Sequence, residues 1–312
     1  MGESVIDFLP IIVGEATTGF TMHIGGSPLN VALGVARLGQ PAAYAGLVSS
    51  DFFGRQVRAF CEREGIDTTM LVSVAAPSTL SFVAVERGEP AYTFYGENAA
   101  DTLLTAETLP PALLTDAAAL HIGSIALLRG TTPDAALAAC EQLRSHALLS
   151  LDPNIRASVV RPEQEHAYRS RLAKLYGIVD LVKLSTVDLA WLLPGGAPAD
   201  YAAHILGHGA ALAVVTLGED GIIAWRAGDR APIQVPGVPV TVADTIGAGD
   251  TVDAALLAGL AERAALTRAR IMALSRDDLA ALLHFAASAA AITVSRAGAN
   301  PPTRAEVTAA RG

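Results

Sequence analysis

Lysine is almost missing: Lys174 and Lys183 are the only two in the 312 residues, and the other basic residues are arginines. Such scarcity makes each lysine worth locating. Cysteine is equally rare; Cys61 and Cys140 stand far apart without CxxC spacing, which predicts a reduced protein of the cytoplasm. No run of like charge occurs, and 22 Lys and Arg against 31 Asp and Glu leave a net charge of −9. A nucleic-acid partner is therefore not expected, and any phosphate must be held by local geometry rather than by the overall field. A basic-then-apolar leader is absent, and no apolar run approaches the roughly 18 residues of a membrane span, so neither secretion nor a membrane is expected. Internal repeats and linkers are lacking as well. What remains is 51% hydrophobic and 17% charged, a composition that predicts a sizeable core in one large α/β domain.

From about residue 104, apolar strand-like runs alternate with helical periods, the mark of a parallel sheet with crossover helices. "ALHIGS" (119–124), "ALLSLD" (147–152), "VDLVKLS" (179–185) and "ALAVVTL" (211–217) read as strands, and "GIIAWR" with "APIQVP" as a hairpin. Helices are predicted over about 132–145, 162–176, 248–263 and 276–295. Near the front, "GGSPLNVALGVARLG" (25–39) predicts a helix capped by Ser27, with Pro28 at its first position and Gly39 ending it. Segments 8–24 and 72–96 alternate as short strands and predict a small antiparallel flap. "ESVIDFL" reads as the second half of a strand.

The chemistry is expected beyond the carboxyl ends of the strands. Four apolar runs finish in polar residues there: Asp7, Asp152-Pro153-Asn154, Lys183-Leu184-Ser185 and Thr216-Leu217-Gly218. The stretch "VADTIGAGDTVDAALLAGL" (242–260) opens with glycines that cost a helix about 1 kcal/mol each. Glycine at 247 and 249 would let an anion reach the unpaired N–H groups of a helix start. Asp250 beside them can accept the proton of an attacking hydroxyl while those N–H groups stabilise a transferring phosphoryl group. The competing reading is a first-turn acid that merely suits the helix dipole. Other motifs fail on residues: GxxxxGK[ST] does not occur, and Val252 breaks the dinucleotide fingerprint. His204 and His208, four apart without HExxH, read as a solvated face. Arg156, just after Asp152-Pro153-Asn154, is placed to clamp a phosphate or sugar.

"DTIGAGD" (244–250) resembles the C-terminal signature of the ribokinase-like (PfkB) carbohydrate kinases, and "GGSPLNVALGVARLG" their N-terminal signature. The resemblance runs from "GESVIDFLP" to "SRAGANPP", and "FYGENAAD", "HIGSIAL", "DPNIR" and "VKLSTVDLAWL" have the character of the family's bacterial fructokinases. It implies an α/β fold: a doubly wound, mainly parallel sheet flanked by helices, with the two flap segments forming a β lid over the sugar. It also implies ATP-dependent phosphorylation of a sugar hydroxyl with Mg²⁺, and a homodimer formed through such a lid.

By the same resemblance Asp250 is the catalytic base, with Gly247, Ala248 and Gly249 as the anion hole. Asp7, Gly25, Gly26 and Asn30 match positions that hold sugar hydroxyls, with Phe94 on the lid and Arg156 near the transferred phosphate. Lys183, Ser185, Thr216, Gly218 and Gly221 match the nucleotide side. Asp188 matches an acid that acts on magnesium, here in Ser185-x-x-Asp188 where many relatives have Asn-x-x-Glu. Asp244, Ile246 and Gly298 match part of a potassium site, and Asp253 is unusual for the family and reads as suiting the helix start. Rival activities on this frame are 2-keto-3-deoxygluconate kinase, whose acid substrate would need a cation such as Arg87 on the lid, then a nucleoside kinase, or a sugar-binding regulator without turnover.

Overall fold

A computed structural model describes residues 1–14, 16–86 and 89–311; Arg87, the lid cation weighed above, lies outside them. Twelve strands and eleven α-helices are described, with short 3-10 turns between them. In order these are β1 (Val5–Val13), β2 (Ala16–Gly25), α1 (Ser27–Arg37), β3 (Gly46–Ser49), α2 (Phe52–Arg63), β4 (Leu71–Val74), β5 (Thr79–Glu86) and β6 (Glu89–Tyr95). Then follow α3 (Pro111–Asp116), β7 (Ala119–Gly123), α4 (Thr132–Leu143), β8 (Leu148–Asp152), α5 (Pro162–Tyr176), β9 (Leu181–Ser185), α6 (Thr186–Leu192), α7 (Pro198–His208) and β10 (Leu212–Thr216). The chain ends with β11 (Ile222–Arg226), β12 (Ile233–Val235), α8 (Ala248–Glu262), α9 (Arg268–Ala273), α10 (Arg276–Val294) and α11 (Arg304–Arg311).

Six strands form the central sheet in the order β12-β11-β10-β9-β8-β7. β7 to β10 run parallel, and the expected hairpin adds β11 and β12 antiparallel at one edge. Alternation along the strands sorts side chains between two layers. Ala213 and Val215 face a core shared with α4, α5 and α7, while Leu212 and Val214 face one shared with α1, α8 and α10. Both faces are covered, so the parallel strands read as continuous apolar runs. By length and composition α10 could cross a bilayer, yet half of it is buried inside the protein, where it packs on α8 as a core helix.

The flap is a separate four-stranded sheet in the order β2-β1-β5-β6. β1 runs antiparallel to β2 and parallel to β5, so this sheet is mixed rather than purely antiparallel. Residues 72–74 are not part of it; they belong to β4, which pairs with β3, and the second flap segment begins at Thr79. Phe8 and Phe82 stack across neighbouring strands at 4.8 Å between ring centroids, and Phe20 meets both edge-on. This aromatic face stiffens a sheet that would otherwise have little to pack on.

Candidate active site

The site forms where α1 and α8 meet. Ser27 and Asn30 lie three apart, on one face of α1, and both reach Asp250 in the first turn of α8. The Ser27 hydroxyl donates to Asp250 Oδ1 at 2.6 Å, and the Asn30 amide donates to Oδ2 at 2.8 Å. Ser27 is thus not the cap expected from sequence; Gly26 takes that position at φ +112° with no side-chain cap, which frees the serine for Asp250. The spacing Ser-x-x-Asn facing a distant acid is what the sequence reading overlooked. Asp250 is 7% exposed, and its two bonds leave the carboxylate acceptor sites to spare.

Small residues set the approach of the two helices. A Cβ on Gly34 of α1 would lie 2.5 Å from that of Ala254 on α8. Gly247 caps α8 at φ +75°, a left-handed conformation that a side chain would strain, and a Cβ there would meet Ala299 at 2.8 Å. The turn before it is pinned by Asp244, which accepts from the N–H groups of Ile246 at 3.0 Å and Gly298 at 2.9 Å. Asp244, Ile246 and Gly298 are therefore gathered at one carboxylate. Of the three residues expected to form an anion hole, Ala248 has its N–H spent on the Thr245 carbonyl at 3.3 Å.

Cavities open on both sides of this turn. One of about 450 Å³ is lined by Asp7, Gly25 and Asn30 together with Ile246, Gly298 and Ala299. The other, of about 720 Å³, is lined by Thr216, Gly218, Gly221, Ala248 and Gly249 and walled by Val238, Val240 and Val242. Asp7 stands in the middle of β1 rather than at a strand end, opposite Ser81 of β5. Burial raises its pKa, while Ser81 and the charges of His23 and Arg156 pull it down. Gly25 leaves room for Asp7, whose Oδ2 would sit 2.6 Å from a Cβ there. Arg156 is exposed and donates to Asn154 Oδ1 at 2.6 Å. Phe94 is half-buried on β6, opposite Ser81 in register.

Three expected residues have other work. Lys183 does not line the larger cavity: it is 2% exposed and paired with Asp152 at 2.6 Å and Asp253 at 3.1 Å. Ser185 caps α6, bonded to Asp188, and likewise lies off that cavity. Asp188 accepts from the Ile155 N–H at 2.6 Å and from the Ser185 N–H at 2.7 Å, which leaves this buried acid stitching β8, β9 and α6 together. Among the described residues no group of three or more His, Cys, Asp or Glu is placed to hold a metal ion. The residues therefore do not make a cage for Mg²⁺, an ion usually held through one or two carboxylates and substrate phosphates.

Comparison with known proteins gives the chain its relatives. Residues 2–306 match the pfkB family of carbohydrate kinases. The chain is 34% identical over 278 residues to a fructokinase of Rhizobium leguminosarum bv. trifolii, covering 89% of this chain and 84% of that one. Its fold is similar to the crystal structure of a fructokinase with bound ATP from Xylella fastidiosa, with TM-score 0.90, 28% identity and coverage of 99% and 96%. It is also similar to a fructokinase from Vibrio cholerae O395 in a fructose-, ADP- and calcium-bound form, with TM-score 0.84, 26% identity and coverage of 99% and 96%.

Proposed function

This chain belongs to the pfkB family of carbohydrate kinases, and from that premise we propose that it is a fructokinase, moving the γ-phosphoryl group of ATP to a hydroxyl of fructose. The observation that carries this reading is the place of Asp250, fixed by Ser27 and Asn30 directly after a turn whose Ile246 lines the smaller cavity and whose Ala248 and Gly249 line the larger. In this account the smaller cavity takes the sugar, through Asp7, Gly25 and Asn30, and the larger takes the nucleotide. Asp250 accepts the proton of the attacking hydroxyl, a role worth about 10²–10⁴-fold in rate. Ser27 and Asn30 hold the carboxylate in line and leave it free to take that proton. The N–H groups of Gly249 and Asp250, which follow the bonded Ala248 N–H in the first turn of α8, stabilise charge on the transferring group. Each good donor of this kind contributes about 3–4 kcal/mol in the transition state.

Magnesium reaches the site on the nucleotide's phosphates in this reading, where it neutralises their charge, and no step is routed through it. A potassium ion beside Asp244, Ile246 and Gly298 is supported by the gathering of the three around one carboxylate. The β1–β2–β5–β6 sheet is the lid that excludes water, a competing acceptor. Its exposed Ile11, Ile12, Val13 and Phe20 support a homodimer formed through the lid. The two cysteines, buried and unpaired, support a cytoplasmic setting.

Initial rates of ADP formation on fructose, 2-keto-3-deoxygluconate, ribose and adenosine test the proposal. Fructose should give the highest kcat/KM. A preference for the sugar acid or the nucleoside overturns the substrate, and calorimetric sugar binding without ADP release overturns catalysis.

A further inference from the structure

Asp253 lines neither cavity. It lies one turn beyond Asp250 among the buried apolar residues Val252, Ala254, Ala255 and Leu256 of α8, and it is 0% exposed. Neither of its oxygens makes a hydrogen bond of normal geometry; its partner is the Lys183 ammonium, 3.1 Å from Oδ2. That ammonium already has a counter-ion in Asp152 at 2.6 Å. A buried ion pair is weak evidence for stability, and a second buried acid on one ammonium adds desolvation cost where an apolar residue would pack freely. Stability alone is therefore a poor account of an aspartate here.

Position gives a better one. Lys183 Nζ lies 2.9 Å from where a Cβ on Gly249 would be, so the ammonium is pressed from inside the protein against the second residue of α8. We infer that Asp253 is a positioning residue for phosphoryl transfer: with Asp152 it holds the Lys183 ammonium against Gly249, so that a fixed positive charge backs the first turn of α8. The inference rests on the reading of that turn as the phosphoryl site. A helix start carries only about half a charge. Asp152 balances the ammonium, but only Nζ lies within 4 Å of a Cβ on Gly249, so the pair turns its positive end to the helix start and adds to the field on a developing anion in a dry interior. Two carboxyl groups pulling from β8 and from α8 fix the ammonium between them. With Asp152 alone it swings toward β8 and away from Gly249.

Protonation fits the same picture. Burial works against the Lys183 ammonium, but Asp152 and Asp253 outweigh it and hold its pKa above the ordinary value. Burial pushes the Asp253 carboxyl well above the usual carboxylate range. What the position needs is an oxygen facing Nζ, and an asparagine there keeps one.

The test compares Asp253→Asn with Asp253→Leu, each checked for folding by circular dichroism. The leucine variant should lose roughly ten- to a hundredfold in kcat with the KM for fructose unchanged, and the asparagine variant should stay within about threefold of wild type. Should the leucine variant fail to fold, Asp253→Ala is read in its place. A folded variant without the oxygen that turns over at the wild-type rate overturns the inference. So does equal slowing of the asparagine and leucine variants, or a joint loss in kcat and sugar KM. A wild-type protein that forms no ADP with any sugar defeats the reading of the site, and this inference with it; an active wild type with an unaffected leucine variant defeats the inference alone.

Discussion

Replacing Gly34 by alanine should cripple turnover although the residue touches neither cavity. Its new Cβ would lie 2.5 Å from that of Ala254, whereas carbons in contact settle at about 3.5–4.0 Å. α1 and α8 must then part by about 1 Å. The bonds that cross this seam to Asp250, 2.6 Å from Ser27 and 2.8 Å from Asn30, would be stretched to or past the limit of about 3.5 Å. Overpacking of this kind costs about 1–3 kcal/mol of stability, and a catalytic group displaced by about 1 Å loses on the order of 10²-fold in rate. ADP release at saturating substrates, read beside a thermal melt, separates the two effects. Adding Ala254→Gly to Gly34→Ala removes the opposing methyl and should restore kcat to within a few-fold of wild type. The melting temperature should recover as well, because the roughly 1 kcal/mol cost of a glycine in α8 is offset by removing the glycine from α1. Full activity in Gly34→Ala, or a double variant as slow as the single, would refute the helix-seam argument.

Two further outcomes follow from buried acids. Burial raises the Glu3 carboxyl from 4.5 to about 7, against the bonds it accepts from the N–H groups of Ser27 and Ala126. A carboxyl raised on folding contributes stability that is full below its unfolded pKa and is lost as pH rises through the folded one. Urea melts between pH 4.5 and 7.5 should therefore show wild type losing up to about 3 kcal/mol relative to Glu3→Gln, and parallel slopes would contradict this. Asp188→Ala breaks the capping box of α6 and should cost about 0.5–2 kcal/mol. Its magnesium half-saturation should match wild type; an unchanged melting temperature with a raised magnesium requirement would return Asp188 to the metal.

Much of this was legible in the sequence because period and punctuation agreed. The helix over 162–176 lies where its pattern placed it, and the α8 glycines marked the turn between the cavities. What sequence could not give was partnership across distance. Ser27 looked like a cap because serine before a helix usually is one, yet an acid 223 residues away takes its hydroxyl. Lys183 stood at a strand end, where ligands are found, but two acids draw it inward, and the second of them lies on a helix that sequence could not place against β9. Asp188 carried a metal expectation by spacing alone, and its oxygens went to backbone N–H groups that only the fold brings near. Asp7 does not end its strand because β1 continues past it to Val13 in the four-stranded flap sheet.

The account turns on Asp250 taking a proton from the sugar. Turnover by Asp250→Asn, measured beside calorimetric binding of fructose and an ATP analogue, tests this directly. Asparagine keeps the size and one acceptor oxygen, so both ligands should bind within a few-fold of wild type while kcat falls by roughly 10²–10⁴-fold. An Asp250→Asn protein that phosphorylates fructose at near the wild-type rate would contradict it.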